Sequence, residues 1–190
     1  MLKHKGSQVI KTERLILRPF RLDDAYKMHH NWAKDPEVTR YLTWQAHKNI
    51  NETARILGAW LAAYTADNYY HWAIEHKGEP IGGISLADIS DRDGNAKIGY
   101  CLGRAYWNKG FMSEALEAVL DFLFSRVSFK KLSAFHDIEN PASGRVLEKA
   151  GMKQEGILRQ EKLRSSGEFA DLRLLAILQD EWLDKKKQKR

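Results

Sequence analysis

The chain has one cysteine among its 190 residues, and that scarcity excludes two classes of protein at once. Cys101 has no second thiol, so neither an internal disulfide nor a multi-cysteine metal site can form, and no metal is expected; a reducing cytoplasm is the expected setting. Long apolar runs are also missing. No stretch approaches the roughly 18 apolar residues of a spanning helix, and residues 1–10 mix Lys3, His4 and Lys5 with polar side chains where a secretory leader needs an apolar segment, so no membrane association is expected. With four prolines and no Pro-, Gly- or Ser-rich stretch, no linker is visible. One domain over residues 1–184 is expected, followed by a basic, unstructured tail at 185–190. Repeats of solenoid or propeller length are absent as well.

What is present is enough for a core: 43% of residues are apolar, with 6 Trp, 7 Tyr and 7 Phe, which rules out a disordered chain. The net charge of +6 comes largely from the tail Lys185, Lys186, Lys187, Lys189 and Arg190, so the body is nearly neutral. A terminal charge run reads as a solvated end. Aromatic and basic residues do not alternate as a base-stacking platform requires, so nucleic acid is not an expected partner.

Periodicity places the elements. Leu15–Phe20 reads as a strand, and Asp23 and Asp24 stand at the start of a helix carrying Ala25, Met28 and Trp32, which Pro36 ends or restarts. Residues 49–66 place Ala54, Leu57, Leu61 and Tyr64 at helical spacing. The period then changes: Tyr69–Ile74, Ile81–Leu86 and Ile98–Leu102 read as strands separated by turns at Gly78 and Gly94. Phe111, Ala115, Val119 and Leu123 recur every four residues beside Met112, Leu116 and Leu120, a strong amphipathic helix. Lys131–Phe135 is a strand, Pro141 to Ala150 a helix stopped at Gly151, and Gln154–Leu163 and Phe169–Leu178 are strands joined by Arg164, Ser165, Ser166 and Gly167. Helices on both faces of a sheet follow from this order, and the strands near the termini leave an edge through which two copies can pair.

Two stretches can carry chemistry. Residues 106–114 turn from a strand into the long helix, where free backbone N–H groups, the helix dipole, Gly110 and Lys109 suit a diphosphate. Residues 140–152 follow a strand directly, with Asn140 placed to cap the helix at Ser143.

Together these stretches resemble the GCN5-related N-acetyltransferase (GNAT) family, and particularly its ribosomal-protein serine/alanine N-acetyltransferase branch. Thr12-Glu13-Arg14-Leu15-Ile16-Leu17-Arg18, Ile98-Gly99-Tyr100, the Gly110 loop, Asn140 to Ser143 with Leu147 to Met152, and Asp180-Glu181-Trp182 are similar to that branch in the same order along nearly the whole chain. The resemblance implies an α/β (α+β) fold with a mixed, largely antiparallel sheet of six to seven strands and a splayed central pair. It implies acetyl-coenzyme A as co-substrate, its diphosphate on the backbone of Trp107, Asn108, Lys109, Gly110, Phe111, Met112 and Ser113, and its pantetheine along Tyr100, Cys101 and Leu102. Asn140 would hydrogen-bond the cofactor arm and Ser143 would protonate the departing thiolate. Trp107 and Met112 stand where the family's phosphate signature has Gln or Arg and Gly or Ala, which a main-chain grip tolerates if Met112 turns inward. Lys97 replaces a Glu found in many relatives, leaving His136, Glu139 and Glu75 as candidate proton acceptors.

Transfer to an amine is then direct. Freeing a neutral amine at pH 7 costs about 1.4 kcal/mol for an α-amine and about 4.6 for lysine, so a chain without an obvious strong base suits a protein or peptide N-terminus. A polyamine or aminoglycoside is the alternative acceptor, and a non-catalytic module binding acetyl-coenzyme A or a protein is the alternative to an enzyme. Cys101, in an apolar strand, reads as inert rather than as a nucleophile.

Overall fold

The computed structural model describes residues 2–164 and 167–188, so Met1, Ser165, Ser166, Lys189 and Arg190 lie outside the described residues. Its strands are β1 (Ile10–Lys11), β2 (Ile16–Arg18), β3 (His71–His76), β4 (Glu79–Ser90), β5 (Asn95–Leu102), β6 (Lys131–Asp137), β7 (Lys153–Leu163) and β8 (Phe169–Leu178). Six α-helices accompany them: α1 (Asp24–Met28), α2 (Pro36–Thr39), α3 (Ile50–Ala63), α4 (Phe111–Phe122), α5 (Pro141–Ala150) and α6 (Gln179–Gln188). The strands form one mixed, mostly antiparallel sheet in the order β1-β2-β3-β4-β5-β6-β8-β7. Eight strands replace the expected six to seven because β1, two residues paired with Leu17 and Ile16, is too short to leave a period in the sequence. The chain divides into two compact units: His4–Ser85 with Tyr100–Ala115, and Leu86–Gly99 with Leu116–Arg190 and Met1–Lys3.

In the first unit, β2 and β3 pair antiparallel, as do β3 and the beginning of β4. Phe20, Met28, Trp32, Leu57 and Ala73 bury together, and each large apolar side chain so enclosed stabilises the fold by roughly 1.5–3 kcal/mol. The α1 helix widens into a π turn over His29–Ala33. At the other end of the α1–α3 layer, the Asn49 side chain accepts from the Glu52 N–H at 3.0 Å, and Glu52 in turn accepts from the Lys48 N–H at 2.7 Å, which fixes where α3 begins. Asp24 does more than complement a helix dipole. Its carboxylate takes Nη1 and Nη2 of the buried Arg18 at 2.7 and 2.8 Å, while Arg18 Nε reaches Glu75 at 2.5 Å. Hydrogen bonding to Asp24 raises the Arg18 pKa, against the opposing effect of burial.

In the second unit, Leu116, Val119, Leu120 and Leu123 are fully enclosed, as the four-residue repeat requires. Strand β6 pairs antiparallel with β8 from Lys131–Leu178 to Asp137–Leu172, whereas its parallel register with β5 covers three pairs, Asn95–Lys131 to Lys97–Ser133. That short register against an eight-residue and a seven-residue strand is what a parting pair requires. Of the basic run, Lys185 to Gln188 belong to α6, and Lys189 and Arg190 lie outside the described residues. Lys185 reaches Glu117 at 3.2 Å and the Lys149 carbonyl at 2.8 Å, and Lys186 pairs with Asp121. Cations in the last turn of a helix also complement its dipole, so the run is held from two directions.

Candidate active site

In the first unit the segment between β5 and α4 is built to present backbone. Leu102 ends the strand, Arg104–Tyr106 forms a 3-10 turn, and the Trp107 indole N–H donates to the Leu102 carbonyl at 2.7 Å, closing the loop on itself. Asn108 and Gly110 then adopt positive φ of 59° and 78° on either side of Lys109. This alternation turns successive N–H groups to one side just before α4, whose first-turn N–H groups have no intrahelical acceptors. Glu114 N–H donates to the Gly110 carbonyl at 3.1 Å, the first bond of the helix. Met112 is 6% exposed, turned inward as a main-chain grip allows, and Phe111 is equally buried. The Lys109 ammonium folds back to the Ala105 carbonyl at 2.8 Å and lies 5.8 Å from the centre of the Tyr106 ring. The turn therefore presents backbone rather than the Lys109 ammonium.

Behind this turn lies a group to which the sequence alone assigned no role. Arg14 Nη1 donates to the Lys109 carbonyl at 3.0 Å, its Nε donates to Glu114 at 2.7 Å, and its guanidinium sits 4.7 Å from the Phe111 ring centre. Glu114 also accepts from the Thr12 hydroxyl at 2.5 Å and from the Arg14 N–H at 2.9 Å. Partial burial works to raise the Glu114 pKa, but hydrogen bonds from Thr12 and Arg14, with the Arg14 charge, hold it below the usual range. Thr12 and Arg14 are visible in the sequence as part of a motif; their partner, about a hundred residues away, is not.

Burial pushes the thiol of Cys101, on the same strand, up to about 12, and a hydrogen bond with the Gly83 backbone offsets only part of that. Tyr100 and Leu102 flank it on β5.

In the second unit, the chain leaving β6 passes His136, Asp137 and Glu139 before α5. Asn140 caps that helix as expected, its side-chain oxygen accepting from the Ser143 N–H at 3.2 Å, which leaves its NH2 group as the donor toward any ligand. The His136 Nδ1 lies 2.8 Å from the Asp137 carbonyl; a carbonyl only accepts, so Nδ1 is the donor there. Nε2 is buried and without a partner among the described residues. Asp137, 3% exposed, binds Arg164 through two hydrogen bonds of 2.8 Å and accepts from the Glu139 N–H at 2.9 Å. Burial would raise the Asp137 pKa, but Arg164 and the Glu139 N–H outweigh it and keep the carboxylate ionised. Arg164 Nη1 also reaches Glu139 at 3.1 Å. Nothing in the sequence marks Arg164, a turn residue, as the clamp of this segment. Lys97 pairs with Asp88 at 2.8 Å and lies 5.1 Å from the Phe135 ring centre.

Among the described residues no three His, Cys, Asp or Glu side chains gather as metal ligands, and no helix is long and apolar enough to cross a membrane.

A strand–turn–helix segment with backbone N–H groups at its helix start is followed in the chain by a helix capped by Asn140. A family model described as an acetyltransferase (GNAT) domain matches residues 14–153, and the chain belongs to this family as a GNAT N-acetyltransferase. It is 32% identical over 154 residues to the uncharacterized N-acetyltransferase YoaA of Bacillus subtilis, covering 80% of this chain and 86% of that one. With the uncharacterized N-acetyltransferase p20 of Bacillus licheniformis it shares 29% over 177 residues, 92% and 98% of the two chains. The ribosomal protein uS5-alanine N-acetyltransferase of Escherichia coli is 25% identical over 187 residues, covering 91% and 92%. In fold, the chain matches a solved ribosomal L7/L12 alpha-N-protein acetyltransferase in complex with coenzyme A, with a TM-score of 0.83 at 21% identity over 90% of this chain and 98% of that one.

Proposed function

We propose that this acetyltransferase moves the acetyl group of acetyl-coenzyme A directly to an α-amine at the N-terminus of a protein or peptide. The observation that carries the donor assignment is the turn at Asn108 to Gly110, whose paired positive φ values and following helix start offer a row of N–H groups to a diphosphate. Tyr100, Cys101 and Leu102 line the pantetheine. The Asn140 NH2 donates to a carbonyl of the cofactor arm, and the Ser143 hydroxyl supplies the proton to the departing thiolate.

The acceptor follows from the state of the proton acceptors. Glu75 is tied to Arg18, Asp137 and Glu139 to Arg164, and His136 Nε2 is enclosed. None is poised to strip a lysine ammonium, for which the deprotonation cost at pH 7 is about 4.6 kcal/mol against about 1.4 for an α-amine. The likeness to the uS5-alanine enzyme points the same way.

The test is release of free thiol from acetyl-coenzyme A with N-terminal peptides, spermidine and an aminoglycoside offered as acceptors. Peptides with a free α-amine are expected to give the highest kcat/KM, and a preference for spermidine would overturn the acceptor assignment. Ser143→Ala is expected to lose turnover and keep coenzyme A binding; unchanged turnover removes Ser143 from the reaction.

A further inference from the structure

We infer that Arg14 is a positioning residue for the diphosphate turn, acting from behind it by fixing the direction of the Gly110 N–H. This role rests on the reading of the turn as a diphosphate site. In a planar trans peptide the carbonyl and the N–H point in opposite directions. The carbonyl of Lys109 and the N–H of Gly110 belong to one peptide, and the carbonyl is anchored to Arg14 Nη1 at 3.0 Å. The Gly110 N–H is therefore aimed away from Arg14, toward the side on which an anion would sit.

Three further features make this a fixed support rather than a ligand. The guanidinium is tethered to Glu114 at 2.7 Å and stacked on Phe111, both in the first turn of the helix whose N–H groups complete the grip. A Cβ added to Gly110 would lie 3.4 Å from Arg14 Nη2, in van der Waals contact, so the guanidinium lines the side-chain face of that residue. Glu114 neutralises the Arg14 charge where it stands, so what Arg14 contributes is direction. Since the Lys109 ammonium is turned to Ala105, the grip depends on backbone donors and their aim.

Arg14→Ala, Arg14→Lys and Glu114→Gln, each first compared with the natural protein by thermal unfolding without ligand, are assayed by calorimetry with coenzyme A and by turnover with acetyl-coenzyme A and with S-acetylpantetheine, which lacks phosphates. Loss of a charge-assisted hydrogen bond that orients the grip is expected to weaken coenzyme A binding and raise KM for acetyl-coenzyme A about 10-fold in Arg14→Ala, with kcat kept. Arg14→Lys, which keeps a donor but not the fork, is expected to fall between. Activity with S-acetylpantetheine is expected to stay unchanged, which a general loss of structure would not allow. Glu114→Gln separates the two roles Arg14 could play: freeing the guanidinium tightens coenzyme A binding if Arg14 is itself a phosphate ligand, and weakens it if Arg14 is a support. Tighter binding there, or an Arg14→Lys variant that is fully folded and binds coenzyme A as the natural protein does while Arg14→Ala does too, overturns the inference. A natural protein that binds no coenzyme A at all defeats instead the reading of the turn on which it rests.

Discussion

Gly144 stands where it does because His136 occupies the space a side chain would need: a Cβ at Gly144 would lie 2.8 Å from His136 Nε2 and 2.9 Å from its Cε1. Gly144→Ala must therefore push the imidazole aside or move α5, and overpacking of this kind costs roughly 1–3 kcal/mol. Ala is otherwise the better helix residue by up to about 1 kcal/mol. In a His136→Ala background the same change is expected to be neutral or stabilising, so the two substitutions couple strongly. Urea unfolding of the four members of the cycle measures that coupling. Additive effects would show that the contact carries no energy.

Arg18 and Asp24, each about 5% exposed in their side chains, form a triad with Glu75, which is 14% exposed. Removing one partner leaves a charge buried with incomplete compensation, which costs roughly 3–5 kcal/mol. Asp24→Ala is expected to lose stability in that range. Glu75→Gln, which leaves the two-pronged Asp24 contact in place, is expected to lose clearly less. Denaturation midpoints at neutral pH decide the order.

Acid should loosen the first unit through its histidines. His29 and His47 each bring Nδ1 to the Thr53 hydroxyl, at 3.0 and 2.8 Å, and one hydroxyl can donate to one ring while accepting from the other. Burial lowers both pKa values, with Lys34 and Arg55 adding to the effect and Glu52 opposing it. His71, packed 4.2 Å from the Trp60 ring, is pushed down to about 3 by desolvation. Each group has a folded pKa below its unfolded value of about 6.5, so the unfolded chain takes up protons that the folded chain refuses. Stability is thus expected to be full above pH ~6.5 and to fall as the pH drops below it. Urea midpoints at pH 7.5 and 5.5 test the sign, and His29→Gln with His47→Gln is expected to flatten the slope.

Elements with a strong repeating pattern are legible in the amino-acid sequence itself. The four-residue repeat from Phe111 to Leu123 forms a buried helix face, and Asn49 and Asn140 cap helices where their positions say they should. The π turns at His29–Ala33 and Leu123–Val127 are hidden, because widening a helix by one residue barely disturbs its period. The polar end of β4, past Leu86, carries no alternation to read. A run of lysines looks the same whether it is solvated or held by Glu117 and Asp121, so the end of α6 depends on packing. The same holds for the candidate site: the Asn140 cap and the Gly110 turn are legible by type and spacing. Arg14 with Glu114 and Asp137 with Arg164 are pairs made by the fold, and no local pattern marks them.

Asp137 and Arg164 provide the sharpest test of that last point. Their two 2.8 Å hydrogen bonds tie the segment leading to Asn140 and Ser143 to the turn after β7, with the Glu139 N–H as a third contact on the same carboxylate. Arg164→Ala strands the enclosed Asp137 carboxylate and is expected to lower stability clearly at pH 7. Arg164→Lys, which replaces the planar fork by a point charge, is expected to recover part of this. Because the folded pKa of Asp137 is depressed, its contribution is present above the unfolded value of about 3.9 and is lost as the pH falls through the folded one. The gap in stability between the natural protein and Arg164→Ala should therefore narrow on acidification, once the carboxylate takes up a proton and needs the guanidinium less. A gap that stays constant from pH 7 down into the acid range would mean that the pair is held by packing rather than by charge, and that Arg164 can be exchanged for an apolar side chain of similar size without loss.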